Sequence, residues 1–519
     1  MIDFNIVLAG LADALTLYNM LFVLFGVILG QLVGALPGVG PVMAMAIAIP
    51  FTFSLSPLTA IAFLVGVNKG GLVGGAIPAI LINTPGTPDA AATTLDGFPM
   101  TQQGKPEKAT KMALYASITG DAFSDIVLIT SSPLIAVVAL KMGPMEIFAL
   151  MVFAFSVIAG LVGDSMAKGI ASAAFGLFCA TVGLDPENSS PRFIFGFFEL
   201  YEGLPLVSVA LGMLAVPEIF RRLSQIRGDI TSAVTFPKAQ KKADRRVSWA
   251  EYWACRYTIL RGSVIGTIMG AIPGLDSSAA AFMTYATTKQ TSKDPDSFGK
   301  GNIHGVAATE SANSAVSGAN LIPMLTLGIP GNIAAALIIT ALMIHGVQPG
   351  PLLFREQGQL IYGLFGALMM ANVLNLLSGL IGLRMWSRVI RAPESFIFPT
   401  ALLLCIVGVF MATGGLLGVV IMFVFAFFSY FMHACGYSAI VFVIAFFLGE
   451  RFELSLSQSL NLIDGDPTIL MHHPIALCLF ALAAASVYWF GIRPTKRKKQ
   501  KAKIKKKDRL AANETVKDD

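Results

Sequence analysis

The stretch Gly34-Ala35-Leu36-Pro37-Gly38-Val39-Gly40-Pro41 interrupts a long apolar segment, and Ile77-Pro78-Ala79-Ile80-Leu81-Ile82-Asn83-Thr84-Pro85-Gly86 interrupts the next one. Proline removes a backbone donor and glycine lowers helix stability, so an unbroken helix is not expected through either stretch. In lipid, a backbone polar group freed in this way is costly unless it is buried in protein or lines a cavity. The two stretches therefore predict broken membrane helices whose breaks face the protein interior.

The same pair of stretches occurs again as Gly270-Ala271-Ile272-Pro273-Gly274 and Ile322-Pro323-Met324-Leu325-Thr326-Leu327-Gly328-Ile329-Pro330-Gly331. The first member recurs at an offset of 236 residues and the second at 245, and the second offset also relates Asn68 to Asn313. The difference corresponds to nine extra residues, which fit most naturally in the loop 289–300. Breaks at corresponding places in two halves indicate an internal duplication with a substrate or ion site.

The composition is that of a membrane protein, with 55% hydrophobic residues, 13% charged residues and a mean hydropathy of +0.71. Soluble globular proteins carry about 25% charged residues. Apolar segments of about 20 residues, the length that spans a bilayer, recur along the chain. We therefore predict an all-α polytopic membrane protein with about 10–12 transmembrane segments.

The net charge of +6 is concentrated at the C-terminus. Residues 493–519 carry twelve Lys or Arg and four Asp or Glu, a net charge of +8, which leaves −2 on the rest of the chain. A basic run can bind nucleic acid, but beside a terminal apolar helix it is more typical of a cytoplasmic tail next to anionic lipid. We expect a cytoplasmic C-terminus, contact with the lipid bilayer and no nucleic acid.

No motif for enzyme chemistry is found in the sequence, which has no Walker A motif, no nucleotide-binding glycine fingerprint and no HExxH. The five cysteines form no CxxC pair, and the N-terminus lacks the charged start of a cleavable signal peptide. We expect no enzymatic activity and no covalently bound cofactor. Transport would then depend on an ion gradient or on a partner protein.

The charges of the loops predict the orientation of the two halves, because basic loops face the cytoplasm. Loop 54–57 is uncharged whereas 289–300 carries lysines, and 105–111 carries lysines whereas 346–358 is nearly neutral. Corresponding loops thus fall on opposite sides of the membrane, which indicates an inverted-topology repeat and places loops 184–203 and 450–474 outside. The predicted divisions are a first membrane repeat at 1–220, a basic cytoplasmic linker at 221–256, a second membrane repeat at 257–492 and a basic cytoplasmic tail at 493–519.

Two apolar stretches are interpreted as re-entrant hairpins. Residues 257–288 have basic loops at both ends, which places Pro273 and Gly274 near the tip of a hairpin that enters and leaves on the cytoplasmic side. By inversion, residues 18–51 form a hairpin that enters from outside, with its tip at 37–40. The alternative is an ordinary pair of spanning helices in each half.

The helix breaks offer groups that bind ions and carboxylates. Asn83, Thr84 and Thr87 place an amide and two hydroxyls at the first break, and unwound carbonyls and hydroxyls suit Na⁺. The N-terminus of the following helix suits a carboxylate. The alternative is that Asn83 and Thr84 only cap the start of a helix. The predicted substrate-binding residues are Pro37, Gly38, Lys69, Asn83, Thr84, Pro85, Gly86, Thr87, Pro273, Gly274, Pro330, Gly331 and Asn332.

Charged residues inside apolar segments are strong indicators of function. Glu310 is either a Na⁺ ligand or a proton carrier, Lys69 either meets a substrate carboxylate or pairs with an internal acid, and Asp276 is either a cation ligand or a helix N-cap. Three further aspartates are interpreted as helix-packing or boundary residues, namely Asp121, Asp125 and Asp164. The predicted Na⁺ ligands are Asn68, Asn83, Asp276, Ser277, Glu310 and Asn313.

Seven stretches of the chain are distinctive enough to compare with known families. They are residues 34–40, 83–93, 95–100, 298–301, 305–313, 321–331 and 345–351. In sequence and in order they resemble motifs of the large membrane subunit of tripartite tricarboxylate transporters, the TctA family, and the resemblance extends to about residue 490.

The resemblance implies a secondary transporter of the bacterial inner membrane. A periplasmic solute-binding protein would deliver a carboxylate, and a small four-helix membrane subunit would complete the complex. A cation gradient, with Na⁺ as the first candidate, would drive uptake. The wider superfamily implies an elevator-like motion in which hairpins and broken helices slide against a scaffold, and a dimer is one assembly to consider.

The chain departs from the family pattern near the predicted site. Family members often have aromatic residues in place of Asn68 and Lys69, a hydroxyl residue in place of Ala76 and a small residue in place of Asp276. The identity of the carboxylate therefore stays open, while Lys69 suits an anionic substrate. Two other functions also stay open, namely a structural or sensory membrane protein without transport, and a proton-driven exporter.

Overall fold

The computed structural model describes residues 4–36, 40–162, 165–225, 242–275, 277–389, 394–464 and 466–492. The chain is 81% helical, and its described strands form one short antiparallel pair, β1 (Gly183–Leu184) and β2 (Pro191–Arg192). The predicted all-α class is confirmed. Several predicted features lie outside the described residues: Pro37, Gly38, Asp164, Asp276, residues 226–241 of the linker and the tail 493–519.

The helices up to residue 225 are α1 (Phe4–Ala14), α2 (Leu17–Gly34), α3 (Gly40–Thr52), α4 (Pro57–Ile82), α5 (Ala91–Gln102), α6 (Pro106–Ala139), α7 (Pro144–Val162), α8 (Met166–Ala180), α9 (Leu206–Ala210) and α10 (Val216–Gln225). Those after residue 241 are α11 (Trp249–Ala254), α12 (Arg256–Gly270), α13 (Ser277–Thr291), α14 (Ile303–Ala319), α15 (Leu321–Leu327), α16 (Ile333–Ile344), α17 (Leu353–Glu356), α18 (Gly358–Val389), α19 (Glu394–Thr413), α20 (Leu416–Ala434), α21 (Ala439–Ile463) and α22 (Pro474–Ser486). Short 3₁₀ helices lie at Phe198–Glu202, Lys242–Arg245, Pro295–Ser297 and Pro467–His472. A π-helical segment, Leu211–Ala215, joins α9 to α10, and another, Val487–Ile492, continues α22.

Apolar helices of two length classes fit a multi-pass membrane protein. Five of the described helices are long and apolar enough to cross a bilayer, and they are Leu17–Gly34, Pro57–Ile82, Pro106–Ala139, Gly358–Gly382 and Leu416–Ala434. Seven shorter apolar helices accompany them. The 15-residue helices α12 and α13 are each about 22 Å long, less than the hydrocarbon core of about 30 Å. Their length is compatible with the predicted re-entrant hairpin, which stays a prediction, as does the count of 10–12 spans.

The chain forms two compact units. The first comprises residues 1–141 and 204–430, and the second comprises residues 142–203 and 431–519. The first unit combines helices from both predicted repeats. The predicted repeats, linker and tail are continuous in sequence, whereas each compact unit is built from two separate ranges. The predicted division stays a prediction.

Helix α4 lies at the centre of the first unit. All of its residues from Leu58 to Leu81 are buried, because its apolar side chains are distributed around the whole helix and leave no polar face. Ser56 caps its start and Pro57 occupies the first turn, where a missing N–H does no harm. The polar residues Asn68 and Lys69 must consequently find partners inside the protein.

A row of glycines brings α2 against α4. A Cβ atom on Gly30 would lie 2.1 Å from the carbonyl oxygen of Val67, so only glycine allows the helices to approach this closely. The same kind of contact occurs one turn to either side. The pairs are Gly26 with Phe63, Gly30 with Val67 and Gly34 with Gly71.

Helix α12 packs against α14 through an equivalent row. A Cβ atom on Gly266 would lie 2.3 Å from the carbonyl oxygen of Ala312. The pairs are Gly262 with Ala308, Gly266 with Ala312 and Gly270 with Val316. The glycines follow those of α2 by 236 residues and their partners follow by 245, the two offsets found in the Pro-Gly stretches. These contacts support the internal duplication, whereas its inverted orientation stays a prediction.

The second unit contains α7, α8, α21 and α22, with α21 packed on both α7 and α8. Arg192 in the loop after α8 donates two hydrogen bonds to the carboxylate of Glu453. Helix α21 continues to Ile463, so much of the expected loop 450–474 is helical. That expectation was wrong because charged residues such as Glu450 and Arg451 are good helix formers and do not end a helix.

Candidate functional site

The first helix break begins at the end of α4. Asn83 takes up a left-handed conformation, with a φ of +57°, and its N–H donates to the carbonyl of Pro78. Pro85 cannot continue the helix that Asn83 ends. Asn83 and Thr84 are exposed at this point. Asn83 therefore ends a helix rather than starting one, and its side chain is exposed.

The start of α3 lies against this break. A Cβ atom on Gly40 would lie 3.6 Å from the methyl group of Thr87, which is ordinary van der Waals contact. The N–H of Gly86 donates to the carbonyl of Gly75 at 3.3 Å. Thr87 is buried and its hydroxyl accepts a hydrogen bond from the N–H of Ala90 at 3.2 Å, just before α5 begins. Hairpin, α4 and the start of α5 thus meet at one place.

The second break has the same arrangement. Helix α15 ends in a left-handed Gly328, with a φ of +74°, and Asn332 caps α16 by accepting a hydrogen bond from the N–H of Ala335 at 2.9 Å. The N–H of Gly274, at the turn between α12 and α13, donates to the carbonyl of Gly331 at 2.9 Å. In each half, therefore, a residue at or just before the start of the second helix of the pair, Gly40 or Gly274, contacts the helix break.

Each break is also close to the hairpin of the other half. Helix α5, which follows the first break, packs on α13, and α16, which follows the second break, packs on α3. The hydroxyl of Ser278 donates to the carboxylate of Asp89 at 3.4 Å, which links α13 to the first break. The two breaks and two hairpins consequently form one connected region of the first unit.

Asn320, between α14 and α15, was not selected from the sequence. It is 2% exposed, and among the described residues its amide has no hydrogen-bond partner. A Cβ atom on Gly331 would lie 2.6 Å from its side-chain oxygen, so the amide faces the second break. The offset of 245 places Asn320 opposite Gly75, which contacts the first break, and this correspondence could have identified it.

Glu310 is fully buried in α14 and is held by hydroxyl groups. Its carboxylate accepts hydrogen bonds from Thr93 of α5 at 2.5 Å and from Ser117 of α6 at 3.0 Å. Thr309 lies 2.8 Å from the Thr93 hydroxyl. No ion pair with Glu310 occurs in the described part of the chain. A carboxylate that meets only hydroxyls can accept either a proton or a small cation.

The predicted Na⁺ ligands are only partly brought together. Glu310 and Asn313 share α14, Asn313 is 1% exposed without a hydrogen-bond partner among the described residues, and Asn68 donates to Ser317 of the same helix at 2.9 Å. Ser277 starts α13, and Asn83 lies at the exposed end of α4. The ligand set stays a prediction. Across the described ranges no three His, Cys, Asp or Glu side chains cluster as a metal site, whereas a Na⁺ site can be built from amide, hydroxyl and backbone oxygens.

Lys69 is held by internal acids. Its ammonium group lies 3.0 Å from Asp121 and 2.7 Å from Asp125, and it also donates to the amide oxygen of Asn372 at 3.0 Å. Asn372 in turn donates to the carboxylate of Asp125 at 2.7 Å. Of the two readings of Lys69, pairing with an acid is the one observed, while contact with a substrate stays a prediction. Asp121 and Asp125 are not boundary residues, because α6 runs on through them and carries both into the core.

Three predicted substrate-binding prolines lie between helices rather than inside them. Pro273 lies in the turn between α12 and α13, and Pro85 and Pro330 lie in the two breaks. These positions fit a site at the breaks, and substrate contact stays a prediction for each of them.

Most of the chain, including both helix breaks, matches one known family. The model of the family described as tripartite tricarboxylate transporter TctA matches residues 20–444. This chain belongs to the TctA family. It is accordingly a multi-pass membrane protein of a transporter family, as the resemblance in the sequence implied.

Two relatives of this TctA chain come from Agrobacterium vitis. The protein named "Uncharacterized 52.8 kDa protein in TAR-I ttuC' 3'region" is 34% identical over 478 residues, which cover 92% of this chain and 94% of the relative. The protein named "Uncharacterized protein in TAR-II ttuC' 3'region" is 31% identical over 222 residues, which cover 43% of this chain and 92% of the relative. No solved structure matches the chain.

One contact explains why two separate TctA motifs, 95–100 and 298–301, occur together in this chain. Asp96 of α5 is buried, and one of its oxygens accepts hydrogen bonds from the backbone N–H groups of Gly299, Gly301 and Asn302 at 2.8–2.9 Å. Its other oxygen accepts from the hydroxyl of Tyr285 at 2.9 Å. Asp96 thereby fixes the start of α14, the helix that carries Glu310. The sequence analysis missed this role because the partners lie about 200 residues away in the chain.

Proposed function

We propose that this chain is the permease subunit of a binding-protein-dependent tripartite system that imports a carboxylate, driven by a Na⁺ gradient. The observation that carries the proposal is that a helix break is contacted in each half, by Gly40 at the start of α3 through Thr87 and by Gly274 in the turn before α13 through Gly331. Freed backbone groups at such breaks are the usual ligands of coupling ions in secondary transporters. The family membership supports the transport class.

The carboxylate would bind at the N-termini of α5 and α16. Each of these helices has 12 residues, and each starts directly after a break. The free N–H groups and positive dipole end of a helix favour an anion. Asn332 at one helix start and Thr87 near the other would contribute side-chain contacts, and Asn83 would contribute its exposed amide.

Na⁺ would bind beside the same breaks, with oxygen ligands from side chains and unwound backbone. Glu310 supplies the buried negative charge, and Asn313 supplies an amide without a partner among the described residues. An elevator-like movement of the hairpins and broken helices would expose this region to either side of the membrane in turn.

The partners follow from the tripartite family. A periplasmic solute-binding protein would deliver the carboxylate, and a small membrane subunit would complete the permease in the bacterial inner membrane. The basic tail 493–519 would lie in the cytoplasm next to anionic lipid. A dimer of the large subunit is a further assembly to test.

Reconstituted uptake tests the proposal. The permease with its small subunit and binding protein is placed in liposomes, and uptake of the ligand carried by the binding protein is measured under an inward Na⁺ gradient or a pH gradient alone. We expect Na⁺-driven uptake that Asn83→Ala and Glu310→Gln each reduce at least tenfold. The exposed residues Asn188 and Glu199 provide matched controls, and Asn188→Ala and Glu199→Gln should leave uptake unchanged.

Three outcomes would contradict parts of the proposal. Unchanged Na⁺-driven uptake in both site variants would reject the site. Flux that follows the pH gradient outward and ignores Na⁺ would indicate a proton-driven exporter instead. Absence of flux for any carboxylate, with a loaded binding protein present, would favour a structural or sensory role.

A further inference from the structure

The core of the first unit contains a cluster of three ionisable side chains, Lys69 of α4 with Asp121 and Asp125 of α6. Each of the three side chains is at most 1% exposed. The ammonium group lies 3.0 Å from an oxygen of Asp121 and 2.7 Å from an oxygen of Asp125. Asn372 of α18 completes the cluster through bonds to both Lys69 and Asp125.

The charges in this cluster do not balance. Two carboxylates face one ammonium group, so full ionisation would leave a net charge of −1 in the interior of a membrane protein. A buried charge without a counter-charge is strongly disfavoured, and the group takes up a proton instead. We propose that the cluster is a proton-binding site, in which one exchangeable proton on Asp121 makes the cluster neutral and its release makes the permease sensitive to pH.

The hydrogen bonds assign the proton to Asp121. One oxygen of Asp125 accepts from both Lys69 and Asn372, and such bonds favour the charged form of a carboxylate. Asp121 has only its contact with Lys69, and its second oxygen has no partner among the described residues. A proton on that oxygen leaves every existing contact in place.

The same geometry disfavours Na⁺ as the bound cation. The ammonium group already lies within 3.0 Å of both carboxylates and would repel a second cation. Only two oxygens of the cluster are left without a partner among the described residues, one on Asp121 and one on Asp125. A hard metal cation requires about six oxygen ligands, whereas a proton requires one.

The helices around the cluster add few other charges. Helix α2 contributes Gln31, whose amide donates to Asn375 and Ser378 of α18. All three of these side chains are uncharged. Helix α14 contributes Gly318, against which the free oxygen of Asp125 lies. The other acid facing α6 from α14 is Glu310, which bonds to Ser117 one turn before Asp121. The ion pair of Lys108 and Glu251 lies at the N-terminal end of α6, where Tyr252 also packs.

The test compares Asp121→Asn with wild type in the full-length protein. The amide keeps the shape of the carboxyl but leaves a neutral pair of Lys69 and Asp125. We expect the melting temperature of the wild type in detergent to fall from pH 5.5 to pH 9 as the cluster loses its proton, and that of Asp121→Asn to lose this slope. Asp296→Asn makes the same change on an exposed loop and should follow the wild type.

Infrared spectroscopy supplies a second readout. We expect a protonated-carboxyl band in the wild type that disappears along the same pH curve and is reduced by one carboxyl in Asp121→Asn. Glu310 is present in both proteins, so the difference isolates Asp121. If the variant does not fold, absence of the wild-type band at neutral pH would still overturn the proposal.

Two further results would overturn it. One is an unchanged slope in a folded Asp121→Asn. The other is a wild-type melting temperature that stays constant between pH 5.5 and pH 9. The protonation measurements do not require transport, so they stand even if the proposed function fails. In the uptake assay, we expect wild-type flux to fall at alkaline pH and Asp121→Asn flux to lose that fall.

Discussion

Gly30 of α2 lies so close to α4 that a Cβ atom on it would be 2.1 Å from the carbonyl oxygen of Val67. Because the neighbour is backbone rather than a flexible side chain, Gly30→Ala must displace one helix. We expect a loss of about 1–3 kcal/mol of stability, and Gly266→Ala should behave alike in the second half. Thermal unfolding measures the effect. Gly415 has open space around it, so Gly415→Ala is the control, and equal stability of all three variants would contradict the prediction.

Asp96 holds the loop before α14 through three backbone N–H groups. Asp96→Ala leaves these donors without their acceptor, at a cost of about 1–3 kcal/mol for each one that water does not reach. We expect lower thermal stability and faster proteolysis within residues 292–301. Asp294→Ala, on the exposed side of the same loop, should have little effect. If Asp96→Ala were cleaved at the same rate as the wild type, that result would argue against this role.

Lys69 is the buried cation between two carboxylates. Removal of one partner from a buried ion pair costs about 3–5 kcal/mol, because the remaining charge is uncompensated. Lys69→Met should therefore be strongly destabilised. The triple variant Lys69→Met/Asp121→Asn/Asp125→Asn removes all three ionisable groups and should regain most of the lost stability. Additive losses in the triple variant would show that the charges are not coupled.

Glu251 of α11, a helix that is not among the candidate membrane spans, pairs with Lys108 in the first turn of α6. Burial opposes its ionisation, but hydrogen bonds from Lys108 and Ser248 outweigh this and hold the pKa of Glu251 below its usual value. Its contribution is complete above about pH 4.3, the value for an unfolded chain, and is lost as the pH falls through the lower folded pKa. The side chain is 38% exposed, so we expect only about 0.2–1 kcal/mol.

The melting temperatures of wild type and Glu251→Gln between pH 3 and pH 7 measure this contribution. The difference should be present at pH 7 and disappear at pH 3. Glu356→Gln, on an exposed helix, should match the wild type throughout. A difference that persists at pH 3 would mean that packing, rather than charge, is responsible.

The predicted inversion places loops 54–57 and 289–300 on opposite sides of the membrane. Ser54 and Lys293 are both exposed, so Ser54→Cys and Lys293→Cys can be introduced separately into a cysteine-free protein. A membrane-impermeant thiol reagent should label one from outside and the other only after the membrane is opened. Labelling of both from the same side would rule out the inverted repeat.

Much of the local structure could be predicted from the sequence. The left-handed ends at Asn83 and Gly328 follow from residues that tolerate positive φ, placed shortly before prolines. The short hairpin helices around Pro273 follow from the same rule. Loop 450–474 was mispredicted because charge alone was taken as a helix end, whereas α21 runs on to Ile463.

The sequence alone determined the membrane class, the breaks and the offsets of 236 and 245, because composition and Pro-Gly patterns act locally and survive as a pattern along the chain. Only the tertiary structure decided the partners of buried polar groups. Lys69 meets Asp125 and Asn372, and Asp96 meets Gly301, across 56 to 303 residues of chain. Such pairs depend on which helices pack together. The local sequence shows that a buried polar side chain needs a hydrogen-bond partner, but it does not show which distant residue is that partner.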